Sequence, residues 1–146
     1  MKARLQISKL EPNAYKAMGA LEKYLSSSIV KPNLRELIKI RSSQINGCAY
    51  CIELHTKTAL ELGEDQRKIF ALPAWKESPL FSQEERIILK MTEEITHISD
   101  NGLTEETYRI ALDFFSQNEI AQIIMQIGTI NLWNRMAVST KLQHPK

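Results

Sequence analysis

Helix signals run through the whole chain and strand signals are almost absent. Apolar residues recur at three- and four-residue intervals, and all five prolines (Pro12, Pro32, Pro73, Pro79 and Pro145) fall between the periodic segments. A residue that lacks an N–H and crowds the preceding turn belongs at such breaks. Two Ser-x-x-Glu pairs, Ser82 with Glu85 and Ser116 with Glu119, have the form of a capping box that opens a helix. A chain that signals only helices must bury its apolar stripes against other helices. The expected fold class is therefore all-α, a helical domain. Its 146 residues fit one domain spanning 1–146, with no linker or low-complexity tract.

The spacing predicts a first helix over about Asn13–Ser27, with Ala14, Met18, Leu21 and Leu25 on one face. A second follows Pro32, with Asn33 as a cap, and runs to about Ile45. The Asn46-Gly47 pair is a stop signal. A third helix starts at or just before Cys48 and ends near Leu62, with Gly63 as its cap. A short helix covers roughly Glu64–Leu72, and Pro73–Phe81 is a loop. The first capping box opens a helix to about Ser99 that turns Ile87, Ile88, Met91, Ile95 and Ile98 inward. Thr104 caps a helix that buries Tyr108, Ala111, Leu112 and Phe115. The second box opens a long helix to about Ser139.

The second and last helices are apolar on more than one side. The last carries Ile120, Ile123, Ile124 and Ile127 on one face and Met125, Leu132 and Met136 on another. A helix apolar all round must be covered all round, and a partner subunit is the natural cover. A homo-oligomer is expected.

Charge excludes several functions. Net charge is +2 with Lys and Arg scattered, too weak a field for nucleic acid or a membrane surface. The opening segment MKARLQISKLEP has no apolar core of a secretory leader. The stretch that most resembles a membrane span, Ile120–Val138, is interrupted by Gln122, Gln126, Asn131, Asn134 and Arg135. A cytoplasmic protein is expected.

The chemistry gathers at four residues, Glu36, Cys48, Cys51 and His55, spaced E-x11-C-x2-C-x3-H, and the chain has no other cysteine. Two thiols this far apart in an otherwise cysteine-free chain read as a redox or metal motif, not a disulfide scaffold. On a helical wheel Cys48, Cys51, Ile52, His55, Ala59 and Leu62 share one stripe, and Tyr50, Glu53, Lys57 and Glu61 share the opposite, solvated one. His55 lies one turn beyond Cys51, within side-chain reach.

Two effects activate thiols here, and they favour different ones. Cys48 lies at the helix opening, where free N–H groups and the dipole stabilise a thiolate. Cys51 has His55 as base or cationic partner. If the chain folds back at Asn46-Gly47, Glu36 reaches the far side of the imidazole, orients it and raises its basicity.

Blander readings exist for each group: a solvated glutamate, a satisfied core histidine, two cysteines acting as small apolar residues. Zinc held by Cys48, Cys51, His55 and Glu36 is the chemical competitor, though three ligands within one helix is an unusual geometry for it. His97 and His144 have no motif partners.

At these residues the chain resembles the alkylhydroperoxidase AhpD-like group of the carboxymuconolactone decarboxylase superfamily. The resemblance covers about Leu34–Gly63 and, more loosely, the later stretch N131-LWNRMAVST. It implies an all-α fold, assembly into trimers or hexamers, and a peroxidase activity that needs both thiols and no bound cofactor. It also implies roles. Cys51 reacts with the peroxide, Cys48 resolves the sulfenic acid to a disulfide, and His55 with Glu36 relays the proton. An external dithiol, lipoylated or thioredoxin-like, restores the thiols.

One departure is that members can carry a further histidine between the cysteines, where this chain has Ala49-Tyr50. The alternatives are a protein disulfide reductase or redox sensor using the same pair, or lactone decarboxylation. The decarboxylase branch generally lacks the cysteine pair.

Overall fold

A computed structural model describes residues 2–144, and Met1, Pro145 and Lys146 lie outside them. The helices are α1 (Ile7–Leu10), α2 (Pro12–Ser26), α3 (Pro32–Asn46), α4 (Ala49–Glu61), α5 (Gln66–Ala71), α6 (Gln83–Thr96), α7 (Glu105–Leu112) and α8 (Gln117–Thr140), with a 3-10 turn at Leu72–Ala74. No strand occurs among the described residues.

Helix α3 is the centre, packed on α4, α6 and α8. Leu34, Leu37, Ile38 and Ile40 are fully buried in the main core with Ile88, Met91, Ile123, Ile127 and Ile130. Each such side chain contributes about 1.5–3 kcal/mol through its removal from water.

Local signals set most boundaries. Both capping boxes form, Ser82 with Glu85 and Ser116 with Glu119, and Thr104 accepts from the Thr107 N–H. Helices α2 and α3 start at their prolines, with Pro12 and Pro32 in the first turn. The fixed proline φ already suits that position. Asn33 is therefore inside α3 and not its cap.

Several expected burials fail. Ala14 is exposed, and Met18 and Leu21 are only half-buried, because α2 lies at the edge of the bundle with Leu25 its only buried residue. Leu62, Ile98 and Leu112, at or just beyond helix ends, are exposed. Thr107 is buried on α7 beside Ala111 instead. α1 was not signalled at all: it is four residues long, and its hydrogen bonds are local.

On α8 the Ile120, Ile123 and Ile127 face is buried, whereas Ile124, Met125 and Leu132 are exposed. The second apolar face of this helix is uncovered in the single chain.

Gly47 ends α3 at φ 66° and ψ 32°. Its left-handed conformation lets the Cys48 N–H return to the Ser43 carbonyl at 2.9 Å. A Cβ there would touch nothing within 4 Å, so only the backbone conformation opposes a side chain. Gly47→Ala should lower stability by about 1 kcal/mol, measured as a reduced urea midpoint with unchanged slope.

Candidate active site

The turn at Gly47 folds α4 back on α3, and this brings residues far apart in sequence into contact. His55 Nδ1 lies 2.9 Å from Glu36 Oε2. Cys48 is the N-cap of α4, and its Sγ accepts from the Cys51 N–H at 3.4 Å. The two cysteines, Cα atoms 5.3 Å apart, are joined as a disulfide. Cys48 and Cys51 are only 2% and 4% exposed and pack with Ala137 of α8. The four residues that the sequence marks thus form two bonded pairs, Cys48 with Cys51 and Glu36 with His55. Tyr50 departs from the solvated stripe, half-buried against this sulfur cluster.

The turn is fastened from behind. Asn46 Nδ2 donates to Asn131 Oδ1 and Asn134 Oδ1 at 2.9 and 3.0 Å. Asn134 Nδ2 donates to Ser43 Oγ at 2.9 Å, and Asn131 Nδ2 to Thr96 Oγ1 at 3.0 Å. These bonds satisfy buried amides and tie the end of α3 to α6 and α8.

Glu36 is 5% exposed and Lys39 8%. Lys39 Nζ lies 3.1 Å from Glu36 Oε1 and 2.8 Å from Glu22 Oε1. Glu22 Oε2 accepts from Trp133 Nε1 at 3.2 Å. Burial pushes the Glu36 carboxyl up, but the His55 hydrogen bond and the Lys39 and His55 charges outweigh it and hold Glu36 below the ordinary glutamate range. Glu36 is therefore an anion at neutral pH. A neutral His55 that donates Nδ1–H to it keeps the Nε2 lone pair for accepting a proton.

Cys51 and His55 open onto a cavity of about 460 Å³ whose other walls include Tyr15, Tyr50, Leu54, Trp133 and Met136. Residues from the N-terminal arm close one side of it, Leu5 and Ile7 among them. Cys48 does not line this cavity. Among the described residues no group of three or more His, Cys, Asp or Glu side chains is placed to hold a metal ion.

Sequence reasoning missed Lys39 and Glu22. The signal for Lys39 was present: a lysine between Ile38 and Ile40, three residues after Glu36, on a helix too apolar to leave it in water. Of the aromatic residues, Tyr15, Tyr50 and Trp133 line the cavity, Trp75 and Phe81 are core, and Tyr24 and Phe70 are exposed. His97 is exposed beyond α6, and His144 pairs with Glu53 away from the Glu36–His55 pair.

Residues 12–94 match the sequence model of the carboxymuconolactone decarboxylase family, and the chain belongs to that family. An uncharacterized Bacillus subtilis protein, YdfG, is 36% identical over 139 residues, 95% of each chain. A crystal structure of an Agrobacterium tumefaciens protein of unknown function, provisionally designated the antioxidant defence protein AhpD, superposes with a TM-score of 0.96 at 38% identity over 99% of both chains. The debrominase Bmp8 shares the fold, with a TM-score of 0.82 at 21% identity over 94% of this chain and 74% of its own. Among the described residues no helix is long and apolar enough to cross a membrane.

Proposed function

We propose that the protein is a thiol peroxidase of AhpD type, cycling Cys48 and Cys51 between dithiol and disulfide. The observation that carries this reading is that Cys51, and not Cys48, faces the cavity together with His55, which is itself bonded to an anionic Glu36.

In the reduced protein His55 Nε2 takes the Cys51 proton, and Glu36 stabilises the imidazolium. The Cys51 thiolate attacks one peroxide oxygen. The O–O bond breaks, Cys51 becomes a sulfenic acid, and the leaving alkoxide takes a proton to give an alcohol, or water from hydrogen peroxide. Cys48 then attacks the Cys51 sulfur, the S–O bond breaks, and water leaves as the disulfide forms. The α4 N-terminus assists at this point, since its N–H groups stabilise a Cys48 thiolate. An external dithiol, lipoylated or thioredoxin-like, reduces the disulfide by exchange. No bound cofactor enters the cycle.

The exposed Met125 and Leu132 on α8 support self-association of this helical domain, which we take to be a cytoplasmic trimer or hexamer.

The test is oxidation of reduced protein with one equivalent of hydroperoxide, followed by mass mapping. The expected product is the Cys48–Cys51 disulfide, and in Cys48→Ser a single added oxygen on Cys51. Oxygen on Cys48 in the converse variant, with Cys51→Ser as reactive as wild type, overturns the assignment.

A further inference from the structure

Glu22 is the one charged residue that lines the cavity besides the titratable His55, among the described residues. It is a fixed part of the wall: Lys39 and Trp133 hold its two oxygens at 2.8 and 3.2 Å, and Tyr15 braces Trp133 edge-on with ring centroids 5.3 Å apart. Among the described residues no lysine or arginine lines the space. Lys39 is buried behind the wall, shared between Glu22 and Glu36. Arg4, between the lining residues Ala3 and Leu5, is bonded to the Ser139 carbonyl at 3.2 Å. Two carboxylates thus face one ammonium, and transfer of the Cys51 proton to His55 within the same wall leaves that balance unchanged.

The remaining walls are aromatic and aliphatic, and a cavity of about 460 Å³ holds a body of small-drug size. A carboxylate brought into such a space loses water, finds no lysine or arginine to pair with and meets the Glu22 charge of its own sign.

We propose that this cavity binds the body of an uncharged organic hydroperoxide, and that Glu22 turns carboxylate-bearing hydroperoxides away. The substrate class rests on the peroxidase reading above; the ligand preference of the cavity does not.

Cumene hydroperoxide, its para-carboxylate and the methyl ester of that carboxylate differ only at the end remote from the peroxide. With a dithiol donor, kcat/KM for the ester should exceed that for the carboxylate by about tenfold or more. Glu22→Gln should narrow that ratio several-fold, the ratio within one variant being the readout. Equal rates for ester and carboxylate in the wild type, or a ratio untouched by Glu22→Gln, overturn the proposal.

Binding of the corresponding alcohols separates the two readings. In a Trp75→Phe background, Trp133 emission should respond to 2-phenylpropan-2-ol at concentrations about tenfold lower than to its para-carboxylate. That response without any peroxide consumption would sink the peroxidase reading and leave the cavity's preference standing. An emission indifferent to the neutral alcohol refutes the binding site itself.

Discussion

Cys51→Ser is expected to abolish dithiol-dependent peroxide turnover, a loss of about three orders of magnitude or more. A serine hydroxyl at the same place is not ionised by an imidazole at neutral pH and does not break an O–O bond. Cys51 is the sulfur that shares the cavity with His55, whereas Cys48 is packed behind it beside Ala137.

Cys48→Ser should behave differently. It should consume one equivalent of peroxide and then stall, because the sulfenic acid at Cys51 has no resolving thiol. A progress curve that shows a burst of one equivalent per chain in Cys48→Ser, and none in Cys51→Ser, distinguishes the roles. Steady turnover in either variant contradicts a cycle that needs both sulfurs.

Glu36→Gln is expected to lower the rate of Cys51 oxidation by about 100-fold, the lower end of what a positioned acid–base group contributes. The amide still accepts a hydrogen bond from His55 Nδ1–H, but it no longer stabilises an imidazolium. The pH dependence follows from the His55 hydrogen bond and the Lys39 charge beside Glu36.

In the wild type the carboxyl lies below its ordinary range, so the acid limb of activity due to Glu36 should fall below the usual glutamate pKa. Lys39→Met removes one cation. The charged form loses support, the carboxyl titrates at higher pH, and the acid limb moves up. Stability has the same sign. A carboxyl lowered in the folded chain contributes stability above its unfolded pKa, and this is lost as pH falls through the folded value. Urea unfolding of Glu36→Gln should accordingly show a shallower decline on the acid side than wild type. An acid limb that stays put in Lys39→Met excludes the ion pair as the cause.

Much of this was readable before any coordinates. Capping boxes at Ser82 and Ser116 depend on chemistry within one turn, and so do the breaks at Pro32 and Gly47. Each appears where local reasoning puts it, within a residue or two. The site was legible for a related reason: Cys51 and His55 belong to one helix, where the wheel fixes their common face, and Cys48 is the cap of that helix. Glu36 required one further step, the reversal at Asn46-Gly47.

What escaped was whatever depends on elements meeting across the bundle. Glu22 joins Lys39 from α2, a helix whose buried face was overestimated because periodicity says which side is apolar and not whether anything covers it. The cavity is assembled from the N-terminal arm, α2, α4 and α8, and no segment announces such a composite. The errors at Leu62, Ile98 and Leu112 share that origin.

Asn46, held by Asn131 and Asn134 from α8, has a further consequence. The peptide that carries Cys48 is bolted to the longest helix of the molecule, and the first turn of α4 sets how far apart the sulfurs start. Making or breaking the bond between them is then a matter of side-chain torsions alone. Oxidised and reduced forms would present the same silhouette, and an electron donor arriving at the mouth would have to recognise the sulfurs themselves, with no altered contour to guide it.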